Sequence, residues 1–119
     1  DLEPRLSIDA EILLDEITWE LFDSIQAFHP FGTGNPIPIF VSRGVSVSAF
    51  SGVGRDGGHL KLRLQSQTGK LVEAIGFGFG SWATKLTLGS KIDVVYEIQV
   101  NEWNGNRQLQ VRIVDLQVG

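Results

Sequence analysis

His59-Leu60-Lys61-Leu62-Arg63-Leu64-Gln65 alternates without a break between polar and apolar side chains. A period of two marks a half-buried strand, whose successive side chains leave on opposite faces. With Leu60, Leu62 and Leu64 turned into a core, His59, Lys61 and Arg63 must stand in a row outside it. The chain on either side repeats the pattern. Upstream, Val41, Arg43, Val45, Val47 and Ala49 are spaced to share one face of a strand ending at Gly52. Downstream, residues 71–77 form a mostly apolar strand containing Gly76. Ile92, Val94, Tyr96, Ile98 and Val100 alternate with Asp93, Val95, Glu97 and Gln99, and Leu109, Val111 and Ile113 alternate with Gln110 and Arg112 over 108–116.

The connections order these strands. Residues 52–58, rich in glycine, read as a flexible loop between the first two, and Gln67-Thr68-Gly69 fits a short hairpin. Residues 80–88, with Trp82, Ala83 and Leu86 apolar, are the one place for a short helix between the third and fourth strands. Asn104-Gly105 is a strong two-residue hairpin signal joining the fourth to the fifth. Five strands with a helix between the third and fourth predict a mainly β fold, a five-stranded OB-fold barrel.

An arm precedes the barrel. Leu6 to Ile12 alternates like a strand, free to pair with a neighbouring domain or another copy. Ile17, Leu21, Ile25 and Phe28, with Leu14 ahead of them, then form one helical stripe, with Asp15 or Thr18 as its cap. Pro30 cannot continue that helix. The predicted organisation is a strand-helix connecting arm over 1–29 and an OB-fold domain over 30–119. Between them, Pro30-Phe31-Gly32-Thr33-Gly34-Asn35-Pro36-Ile37-Pro38-Ile39-Phe40 reads as a rigid, extended turn. Its Gly32-Thr33-Gly34 lacks the Lys-Ser/Thr of a phosphate loop and does not join a strand to a helix.

Composition narrows the function classes. The 119 residues suit one core, and zero Cys excludes disulfides, thiolate metal sites and Cys nucleophiles. No apolar run is long enough to span a membrane, and nothing reads as a signal peptide, so the expected compartment is the cytoplasm. Met is absent even at position 1, which points to a piece of a longer chain. The net charge of −4 hides an asymmetry: residues 1–40 carry eight acids against Arg5 alone, whereas residues 41–119 carry nine bases and six acids. The overall acidic balance argues against a polyanion partner; the larger segment taken alone permits one.

In barrels of this kind oligonucleotides lie on the face of the second and third strands, between the first loop and the last hairpin. Cations that track phosphates, with an aromatic ring to stack a base, make a single-strand site. The candidates are Arg55 in the first loop, His59, Lys61 and Arg63 on the second strand and Lys70 at the start of the third. Trp103 at the hairpin tip, with Arg107 and Arg112 on the fifth strand, completes the set. Plainer readings stand beside these: Lys61 and Arg63 as a solvated strand face, Trp103 as a lid on the barrel end. Trp19, Trp82, Phe77 and Phe79 read as packing residues. His29 and His59 are the only histidines and no acidic cluster accompanies them, so no metal site and no catalytic set is expected.

The 30–40 stretch closely resembles the Pro-Phe-Gly-x-Gly-Asn-Pro-x-Pro-x-Phe signature of the RecJ single-strand-specific DNA exonucleases. His59-Leu60-Lys61-Leu62, Ala74-Ile75-Gly76-Phe77, Asp93 to Tyr96, and Asn101-x-Trp103-x-Gly105 before Gln108-Leu109-Gln110 follow in matching order. The resemblance runs from about residue 8 to residue 116 and corresponds to that family's C-terminal OB domain with the helical link into it. It implies a role in a larger enzyme that degrades single-stranded DNA from the 5′ end in recombination and repair. Its Mn or Mg would be held by Asp and His residues of upstream DHH and DHHA1 domains; none of that set is here, so no cofactor is expected in this piece. The implied partners are single-stranded DNA, those upstream domains and other repair proteins. The acidic arm and a first loop with only Arg55 to offer DNA depart from that picture, and the few phosphate neutralisations predict low-affinity, salt-sensitive binding. The alternative is a structural or protein-interaction module that docks on the catalytic core and touches little DNA.

Overall fold

Alternation decides which side of each strand is covered, and the computed structural model, which describes residues 8–119, turns that pattern into six strands and one helix. These are β1 (Ala10–Glu11), α1 (Trp19–Gln26), β2 (Phe40–Val53), β3 (His59–Gln65), β4 (Leu71–Gly76), β5 (Lys91–Trp103) and β6 (Asn106–Val118), with short 3₁₀ turns at Leu14–Glu16, Arg55–Gly57 and Gly80–Thr84. The strands pair in the order β1-β2-β3-β4-β6-β5, and β2 also pairs with β5. That extra pairing closes β2 to β6 into a five-stranded barrel. β4 and β6 run parallel and the other barrel neighbours antiparallel. This is the expected OB-fold, and its short helix between the third and fourth barrel strands is the 3₁₀ turn Gly80–Thr84.

The barrel is filled by Leu60, Leu62 and Leu64 from β3, Val72 and Ala74 from β4, Ile92, Val94 and Tyr96 from β5, and Val111 and Ile113 from β6. Leu86, just past the 3₁₀ turn, joins the same core. On β3 the alternate side chains face outward, so Lys61 and Arg63 are presented to solvent.

β2 departs from the single face read in its sequence. Gly44 takes a positive φ of 64° and the register against β5 shifts between Ser42 and Val45. A bulge there turns the strand over. Phe40 and Ser42 face inward before it and Val45 and Val47 after it, while Arg43 stays exposed. A second shift, between Val47 and Ala49, adjusts the pairing with β3. The bulge is fastened by Asp93, whose Oδ1 accepts from the Gly44 N–H at 2.9 Å.

The arm is stitched to the barrel. Only Ala10–Glu11 of the expected strand pairs, in parallel with Phe40 and Val41 of β2; Leu6 and Ser7 lie outside the described residues. The helix is shorter than its stripe, because Thr18 rather than Asp15 caps it, accepting from the Leu21 N–H. Ile17 therefore precedes the helix and Phe28 lies beyond it, exposed. Leu14, Ile17 and Ile25 nevertheless join the barrel core. Ser42 Oγ donates to the Ile12 carbonyl at 2.7 Å and sits 2.7 Å from the buried Tyr96 hydroxyl. The 30–40 turn is closed by Asn35, whose Nδ2 donates to the Phe28 and Pro30 carbonyls and whose backbone bridges Gly32.

The loop after β2 is not the loose tether its glycines suggest. Its 3₁₀ turn Arg55–Gly57 packs on the turn Gly80–Thr84, and the Gly80 N–H donates to the Gly58 carbonyl at 3.1 Å. A Cβ on Gly80 would stand 1.9 Å from the Gly57 carbonyl oxygen, so that approach requires glycine.

Candidate nucleic-acid interface

The outward side chains of β3, β4 and the β5–β6 ribbon enclose a groove of about 670 Å³. Lys61 and Arg63 line it from β3, Glu73 and Ile75 from β4, Phe77 from the turn after β4, and Asn101, Trp103, Gln108 and Gln110 from the ribbon. Register explains the grouping. Arg63 lies opposite Glu73, Glu73 beside Gln110, and Asn101 opposite Gln108, all on the side away from the core. Phe77 and Trp103 stand at opposite ends, 54% and 45% exposed, with the Arg63–Glu73–Gln110 row between them.

Most of the groove's charge is already balanced. Arg63 Nε meets Glu73 Oε2 at 2.7 Å, and Arg112 Nη1 meets Glu97 Oε1 at 3.4 Å. Lys61 is exposed, and among the described residues no carboxylate pairs with it. His59 shares the outer row of β3, but its Nδ1 accepts from the Gly78 N–H at 2.9 Å and its ring stands edge-on to Phe77 at 5.5 Å. That contact holds the Phe77 ring in place.

The remaining candidates are dispersed. Arg55 sits exposed on the 3₁₀ turn at the loop end of β3, with no carboxylate partner among the described residues. Lys70 faces the arm: its Nζ donates to the Ile17 carbonyl, close to Asp15. Arg107 lies opposite Glu102 on the inward side of the ribbon, pairs with it at 3.4 Å, and stacks over Trp19 of α1 at 4.9 Å. Of the eight sequence candidates, then, Lys61, Arg63 and Trp103 line the groove directly, His59 supports it, Arg55 and Arg112 flank it, and Lys70 and Arg107 bind the arm instead.

Sequence reading missed several groove residues. Phe77 was expected in the packing and is exposed instead, because it follows β4 in a turn. Glu73, Ile75, Asn101, Gln108 and Gln110 carried a signal in their alternation, since each falls on an outward position; a search for cations passes over a carboxylate and uncharged side chains alike. At the arm, the Thr68 hydroxyl bonded to Asp15 holds that carboxyl below its ordinary value of 3.8, and Ser66 assists. Among the described residues no three His, Asp or Glu side chains gather as a metal-binding group.

Comparison with known proteins places this geometry. The family model described as the RecJ OB domain matches residues 8–115. Two curated relatives are single-stranded-DNA-specific exonucleases RecJ. The one from Bacillus subtilis is 27% identical over 118 residues, covering 99% of this chain and 15% of the relative. The one from Haemophilus influenzae is 27% identical over 106 residues, 88% of this chain and 18% of the relative. The chain thus spans under a fifth of their length. Among solved structures, RecJ from Thermus thermophilus in complex with Mn²⁺ superposes with a TM-score of 0.73 at 24% identity, covering 96% of this chain and 16% of that one. The mitochondrial single-stranded DNA binding protein Rim1 from S. cerevisiae shares the fold at TM-score 0.52 and 18% identity, over 69% of this chain and 92% of that one.

Proposed function

Because this chain belongs to the RecJ OB-domain family, we propose that its groove binds single-stranded DNA and holds the strand for catalytic domains of a longer, 5′-to-3′ RecJ-type exonuclease acting in recombination and repair. The observation that carries this reading is the groove itself: two exposed aromatic rings at its ends, with Lys61 and Arg63 along one wall. Aromatic faces stack bases of any sequence, and cations follow the backbone. The hydrolysis, with its divalent metal, belongs in this reading to the rest of the parent chain; the groove's task is grip and placement. The test is a titration of fluorescently labelled oligo-dT with the 119-residue chain at low salt. Saturable binding supports the reading, and none at low salt overturns it.

A second reading, a module docking on the catalytic core, draws support from the arm. Phe28 of the arm and Ile37 of the turn that follows it are exposed at 67% and 42%, within the acidic first forty residues. Replacing Lys61 and Arg63 together by Glu in the parent enzyme separates the two: the first demands weaker strand binding with folding intact, the second little change.

A further inference from the structure

We infer that the groove reads bases as well as gripping a strand, with the Arg63–Glu73 pair and Gln110 selecting guanine at the position between the two aromatic platforms. This rests on the groove being a single-strand site. Glu73 projects at the centre of the face, between Arg63 on β3 and Gln110 on β6. A carboxylate there repels phosphate, so the backbone is driven to the Lys61 side and neutral base edges are left facing β4. The side chain is 21% exposed, and only its Oε2 is engaged, by Arg63 Nε at 2.7 Å. Oε1 has no partner among the described residues, and each carboxylate oxygen carries two lone pairs.

The surrounding groups are donors and amides. The terminal nitrogens of Arg63 make no further hydrogen bond among the described residues. Gln110 Nε2 donates to Gln99 Oε1 at 3.3 Å, which leaves its other N–H free. Asn101 and Gln108 line the same wall, exposed. The site therefore offers two adjacent acceptors on Glu73 with donors beside them. Guanine is the one DNA base whose Watson–Crick edge is the complement, with N1–H and N2–H side by side and O6 next to them. Cytosine and adenine place an acceptor ring nitrogen beside their amino group, which the carboxylate repels. Thymine has a single N–H between two carbonyls. Single-strand readers recognise splayed bases on these edges.

The experiment measures anisotropy of labelled oligo-dT carrying one central guanine, inosine or adenine, with the 119-residue chain. Guanine should tighten binding about tenfold over the all-thymine strand, within the range of a good bidentate base contact. Inosine, which lacks the 2-amino group, should lose most of that gain, and adenine should show none. Glu73→Gln should erase the preference. Gln110→Leu, which keeps the ion pair, should reduce it. Equal affinity for all four strands, or a guanine preference that survives a folded Glu73→Gln chain, overturns the inference. If Glu73→Gln does not fold, the guanine-inosine comparison on the unaltered chain decides alone. Failure to bind any of these strands at low salt would instead sink the single-strand reading itself.

Discussion

Salt dependence is where the ion pairs of the groove become measurable. Each phosphate neutralised on a single strand releases counterion and adds about −0.7 to the slope of log affinity against log salt. Six of the candidate contacts are Lys or Arg, but Arg63, Arg107 and Arg112 already face carboxylates and Lys70 is bonded to the Ile17 carbonyl. Only Arg55 and Lys61 are left, so the slope should be about −1.4, and affinity for oligo-dT should fall only about sevenfold between 50 and 200 mM salt. Were all six cations to engage phosphates, the slope would be about −4 and the loss roughly 300-fold over the same range. The assay is anisotropy of labelled oligo-dT across a KCl series, repeated with Lys61→Gln. That variant should roughly halve the slope. A slope near −4 would refute the reasoning, because it would require the carboxylates to release their partners on binding.

Three further outcomes follow from the structure. Trp103→Ala should weaken oligo-dT binding by about 1–3 kcal/mol, the worth of one stacked base, with the melting temperature unchanged because the ring stands at the hairpin tip; unchanged affinity would remove Trp103 from the site. Gly80→Ala drives a Cβ into the Gly57 carbonyl and breaks the Gly80–Gly58 hydrogen bond, which should cost about 2 kcal/mol and lower Tm by roughly 8 °C. A thermal melt within a degree of the parent would show that the two turns do not depend on each other. Asp15→Asn should destabilise at neutral pH: the Thr68 bond holds the folded carboxyl below 3.8, so its contribution is present above that value and is lost as pH falls through the folded value. The Tm difference between parent and variant should thus narrow as pH falls below 3.8 and through the lowered folded value; a difference that does not narrow in acid would place the effect elsewhere.

The barrel was legible because strict alternation in β3 and in β6 as far as Ile113 assigns the side chains a face, and Asn104-Gly105 fixes how the last two strands meet; past Ile113 a register shift against β5 turns Leu116 inward. β2 was less so. A bulge at Gly44 reverses the faces midway, and only the Asp93 carboxylate from another strand reveals why the chain turns there. Among the described residues the arm's strand pairs over Ala10–Glu11 alone, since alternation measures amphipathicity and not the length of the available partner edge. At the groove, the outer row of β3 follows directly from the leucines inside it. What periodicity does not carry is where each cation spends its charge. Lys70 and Arg107 look free in a linear chain, and in the fold they are committed to the Ile17 carbonyl and to Trp19. Phe77 illustrates the converse: an aromatic residue with a core-like neighbourhood in sequence is exposed because the strand ends one residue before it.

The central claim is that the face built by β3, β4 and the β5–β6 ribbon is the strand-binding surface, and amide chemical-shift mapping with unlabelled oligo-dT tests it most directly. Shifts should gather at Lys61, Ile75, Phe77, Gln108 and the Trp103 indole N–H, leaving α1 and the 30–40 turn unmoved. Shifts concentrated around Phe28 and Ile37, with the groove silent, would contradict it.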